Sequence, residues 1–185
     1  MNAENERTIF QTEPEKWPHW LTDAEMQKVI RAAKEGENAK RDTLLTAAVL
    51  YLGLTPEEAA GIRYCTANGD AIENQNIYNR AFLHIPNEYR RMINEALGEQ
   101  DSFYLLDRLT DCAAADAAGA IAQVFDRAGL PKKNAAIRLR RTAARLHYLK
   151  GWTPEREVFN WFSDIDSIPD ENKTFYYREK TDKDE

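Results

Sequence analysis

Cysteine is scarce in this chain. Of 185 residues only Cys65 and Cys112 carry thiols, 47 positions apart, with no Cys-x-x-Cys pair and no neighbouring histidine. That spacing leaves neither a zinc signature nor a disulfide framework, and it points to two core thiols in a reducing compartment. Long apolar runs are missing too. No stretch approaches the roughly 20 residues that span a bilayer, and the N-terminal region has no signal-peptide core, so a cytoplasmic protein with no membrane partner is expected. Positive charge is in deficit: 25 Lys and Arg face 31 Asp and Glu, a net charge of −6. A uniformly basic coat for nucleic acid is thereby excluded, although a local basic face is not. The 8 glycines and 7 prolines are too few for a collagen-like or low-complexity chain. The three histidines, His19, His84 and His147, have no ligand spacing, so neither a metal nor a cofactor is expected.

What is present suits one ordinary domain, with 43% hydrophobic and 30% charged residues. Residues 1–20 read as a flexible polar leader, 21–163 as a helical domain, and 164–185 as an acidic tail around Phe175-Tyr176-Tyr177. Thr22 and Glu25 have capping-box spacing ahead of Met26, Val29, Ile30 and Ala33, which predicts a helix from Asp23 to about Lys34. Asp42 or Thr43 opens a second helix that is apolar nearly all round and stops at Gly53. Thr55, Pro56 and Glu58 supply the N-cap, the first helical residue and the capping-box acid of a short third helix. Around the turn signal Asn68-Gly69-Asp70, short runs between Arg63 and Ile85 predict a small antiparallel sheet. Helices follow at about Glu88–Leu97, Asp111–Ala128, Asn134–Lys150 and Pro154–Trp161. The expected class is therefore α+β, mainly helical with a small antiparallel sheet.

Charge is unevenly spread. From Asp126 to Arg156 the chain holds nine basic and two acidic residues, a local net of +7, and the remainder carries −13. In a helix Arg138, Arg141 and Arg145 share one face, Arg140 lies off it, and Leu139, Ala143, Leu146 and Leu149 form a stripe toward the core. Two readings stay open: a solvated face whose arginines pair with carboxylates, or a face that binds phosphates through bidentate guanidinium contacts.

Several stretches, in order, resemble a known family. They are Leu21-Thr22-Asp23-Ala24-Glu25; Arg41-Asp42 with the apolar helix after it; and Gly53-Leu54-Thr55-Pro56-Glu57-Glu58 leading to Arg63-Tyr64. Arg80 to Pro86, Leu139-Arg140-Arg141-Thr142 followed by Gly151, and Thr174-Phe175-Tyr176-Tyr177 complete the set. The arrangement resembles the catalytic domain of the tyrosine recombinases, the phage-integrase family, over roughly Leu21 to Tyr177. Members of that family cut and rejoin DNA through a phosphotyrosine link, with fixed cations meeting the charge that develops on the phosphate oxygens.

Carried over position by position, the resemblance puts Thr55 where the first arginine belongs and Ile137 where the first histidine belongs. It leaves no hairpin lysine between Arg63 and Arg80, where Gln75 and Asn76 stand, and puts Ser163, with Trp161 close by, near the late His/Trp position. Arg140 keeps the second arginine, and Tyr177, or else Tyr176, keeps the nucleophile. Loss of several such donors removes most of the chemistry, so no working catalytic set is expected and Arg140 and Tyr177 are vestigial candidates. The family's separate amino-terminal helical domain, which closes a clamp on DNA, is not expected in the short stretch before the first helix.

The resemblance thus implies a catalytically inactive DNA-binding protein, an accessory or regulatory factor of a mobile element. Its double-stranded DNA would meet Arg63, Lys132, Lys133, Arg138, Arg140, Arg141 and Arg145. One alternative is a protein-interaction module of the same fold, joined to a second copy or to a recombinase partner through the tail. Another is a residual strand-transfer enzyme using Tyr177. The Leu44 to Arg63 region also looks like a helix-turn-helix, but Glu57 and Glu58 make its second helix a poor DNA surface, and it reads as core packing.

Overall fold

The computed structural model describes residues 20–65, 71–73, 85–97 and 111–153. Among them are six helices: α1 (Asp23–Ala33), α2 (Ala39–Leu52), α3 (Pro56–Ala60), α4 (Asn87–Leu97), α5 (Ala114–Arg127) and α6 (Ala135–Leu149). The class is all-α, which corrects the α+β expectation. In place of a sheet layer, extended pairing among the described residues is a short ribbon, β1 (Arg63–Cys65) against β2 (Ala71–Glu73). Its three antiparallel pairs are Arg63 with Glu73, Tyr64 with Ile72 and Cys65 with Ala71. Such a ribbon is too short to form a layer against which helices could pack. The remaining expected strands, the helix at Pro154–Trp161, and nearly all of the leader and the whole tail lie outside the described residues.

Local signals act as their chemistry requires. Thr22 Oγ1 accepts from the Glu25 N–H at 3.3 Å, and Glu25 Oε2 accepts from the Thr22 N–H at 2.9 Å, so the capping box of α1 is closed both ways. Thr55 and Glu58 do the same for α3, at 3.1 and 2.8 Å, with Pro56 in the first turn. Gly53 ends α2 in the left-handed region at φ 66°, a conformation glycine adopts without the Cβ clash. Helix α6 ends in a Schellman turn, in which Gly151 N–H donates to Tyr148 O at 3.1 Å and Trp152 N–H to His147 O at 3.0 Å.

The start of α2 corrects the sequence reading. Asp42 is not a cap: the helix begins at Ala39, and Asp42 is buried inside its first turns, where Arg41 and Arg127 both pair with it. An acid among leucines is tolerated only when cations neutralise it, and these two do. From Asp42 to Leu52 every residue of α2 is buried. The helix runs through the middle of the described residues and contacts all five of the others. Helices α3 and α6 each also pack on α5, so α6 is seated on two neighbours at once. That seating decides which of its side chains reach water.

Candidate functional site

Helix α6 carries Arg138, Arg140, Arg141 and Arg145 and no carboxylate of its own; Lys132 and Lys133 precede it and Lys150 follows it. Tertiary packing sorts these cations into three groups. Arg140 is buried, and its Nε donates to the Gly53 carbonyl at 2.9 Å. That carbonyl lies two residues before Thr55, so the two positions that the resemblance assigns to arginines, Thr55 and Arg140, come close in space through a bond that spans 87 residues of sequence. One is an arginine bonded to backbone. The other is a neutral threonine whose hydroxyl is occupied as a cap.

The second group is covered by residues 20–25. Arg138 Nη2 donates to Glu25 Oε1 at 3.0 Å, and its guanidinium sits 5.8 Å from the centre of the Phe125 ring. Arg145 stands over the Trp20 ring at 5.2 Å. Between them Thr142 Oγ1 accepts from the Leu21 N–H at 2.8 Å and donates to the Arg138 carbonyl at 2.7 Å. The opening residues of the described chain therefore lie along the row 138, 142, 145. Arg141, expected on the same exposed face, is 8% exposed, because α6 is gripped on more than one side. Leu149 reverses in the other sense: expected in the core stripe, it is 38% exposed.

The third group faces water. Lys132, Lys133 and Lys150 are exposed. Lys132 pairs with Asp126 at 3.0 Å, but both side chains are more than half exposed and such a pair contributes little. The N-cap residue of α6, Asn134, is left-handed at φ 60° and makes no side-chain cap bond. Two lysines beside the positive end of a helix oppose its dipole, so helix stability does not explain them. Ile137, at the position the resemblance gives to histidine, is 36% exposed and offers neither donor nor acceptor. Arg63 lies in β1. Tyr176, Tyr177, Trp161 and Ser163 fall outside the described residues.

Glu25 is held ionised. Burial pushes its pKa up, but the Thr22 N–H and the Arg138 guanidinium outweigh that and lower it overall. Its contribution to stability is complete above the ordinary carboxylate range and is lost as pH falls through the lowered value.

Three tertiary roles carried little sign in the sequence. His147, which had no legible role, is fully buried: Nε2 lies 2.6 Å from the Tyr51 carbonyl, Nδ1 lies 2.8 Å from Thr153 Oγ1, and the Trp152 ring meets it edge-on. A carbonyl only accepts, so Nε2 carries the proton, and the histidine ties the ends of α2 and α6 together. Glu25 and Asp42 are likewise cation partners from distant segments. Cys112 is buried, and burial raises its thiol pKa.

Among the described residues, no group of three or more His, Cys, Asp or Glu is placed to hold a metal ion, and no helix is long and apolar enough to cross a membrane. No family model, curated protein or solved structure matches the chain.

Proposed function

We propose that this chain is a DNA-binding domain that resembles a tyrosine-recombinase catalytic domain, lacks that family's chemistry, and serves as an accessory or regulatory factor in the cytoplasm. The observation that carries the DNA reading is the exposed pair Lys132 and Lys133 at the uncapped positive end of the 15-residue helix α6. A phosphate there would meet two ammonium groups and the favourable end of the helix dipole at once. The acidic remainder of the chain repels phosphate elsewhere and orients the approach. Lack of chemistry rests on Thr55 and Ile137, which bring no charge to positions where the family has cations or proton carriers.

The interface is narrower than the seven residues read from sequence, since Arg138 and Arg140 already hold internal partners. That observation favours a second reading, a protein-interaction module that has left DNA behind. A mobility-shift titration with duplex DNA across a salt series separates the two. Salt-sensitive binding that Lys132→Ala with Lys133→Ala weakens, with a shallower salt slope, supports the DNA reading; no binding at low salt removes it in favour of the second.

A further inference from the structure

Residues 20–25 lie against the basic helix in a particular chemical order. Glu25 is a half-buried anion with its two oxygens divided between tasks: Oε2 closes the capping box with Thr22, and Oε1 accepts from Arg138. Trp20 lies under Arg145, about two turns of α6 beyond Arg138, and the Leu21 N–H is fixed to Thr142 between them. Carboxylate and phosphate oxygens compete for the same guanidinium donors with similar geometry. Of the arginines that the charge pattern offers to DNA, two are thus engaged by residues 20–25 of the same chain.

We propose that Glu25 is an intramolecular stand-in for a DNA phosphate, which occupies the Arg138 guanidinium and lowers the affinity of the α6 face for DNA. The proposal deepens the DNA-binding reading and rests on it. Segment 20–25 then acts as a guard on one edge of the interface, while Lys132, in an exposed pair with Asp126, and the exposed Lys133 stand at the other. Binding in the guarded state uses the lysine end alone. Removal of the guard charge adds one cation to the contact.

The capping box accepts glutamine as well as glutamate, so Glu25→Gln keeps the cap of α1 while it removes the negative charge that faces Arg138. The test compares wild type, Glu25→Gln, Arg138→Gln and the double variant for duplex DNA binding across a salt series, with thermal melts of each. The expected result is a roughly threefold or greater gain in affinity at low salt for Glu25→Gln, with a salt slope steeper by about one. Arg138→Gln must erase that gain. Glu25→Ala, which loses the cap as well, must show the same gain from a less stable fold. An unchanged affinity and slope overturns the guard and leaves the DNA reading standing, as does a gain that survives Arg138→Gln and so reflects net charge alone. Failure of every variant and of wild type to bind at low salt overturns both.

Discussion

Helices α2 and α6, of 14 and 15 residues, lie against each other at the centre of the described fold, yet they reach burial by opposite means. In α2 the sequence is apolar on nearly every face and its one acid is neutralised by Arg41 and Arg127. In α6 three of the four arginines are accommodated one by one: a carbonyl takes Arg140, a carboxylate and a ring take Arg138, and an indole takes Arg145. The first arrangement depends on area removed from water, which is indifferent to direction; the second depends on aligned partners. A core position in α2 is therefore damaged by lost volume, and one in α6 by a lost partner.

The contrast is broken hardest at Leu50, which is fully buried. Leu50→Ala should destabilise the fold by about 2–5 kcal/mol in denaturant titrations, since a cavity adds to the lost transfer energy. Arg140→Met keeps the volume but orphans the Gly53 carbonyl; a loss of about 1–3 kcal/mol is expected, and a neutral result would mean that packing alone suffices in α6 as well. Thr55→Ala removes the cap of α3 and should cost about 1 kcal/mol by the same measurement. Least of all, Lys132→Ala with Lys133→Ala should leave stability within about 0.5 kcal/mol of wild type, while DNA binding weakens and loses salt sensitivity. A large stability loss there would assign the lysine pair to the fold instead of to a ligand.

Much of the helical framework was legible because its signals are local. Thr22 with Glu25, Thr55 with Pro56 and Glu58, and Gly53 each act over a single turn, and the structure places them as their spacing predicts. Sequence and structure part where a residue's partner is remote. Asp42 looked like a helix cap, whereas its role is set by Arg127, 85 positions away. Turn chemistry and short β-prone runs predict a small sheet, but these signals carry no information about whether a layer will find a face to cover.

The candidate site followed the same division. Sequence alone determined that the positive charge is gathered in one stretch, that this stretch forms a helix after Lys132 and Lys133, and that Thr55 and Ile137 bring no charge, because composition and local periodicity are properties of consecutive residues. Only the tertiary structure decided which cations are already in use. Glu25 reaches Arg138 across 113 positions and Gly53 reaches Arg140 across 87. A guanidinium is open to a ligand or closed to it according to what the folded chain brings within about 3 Å, and no local pattern encodes that distance.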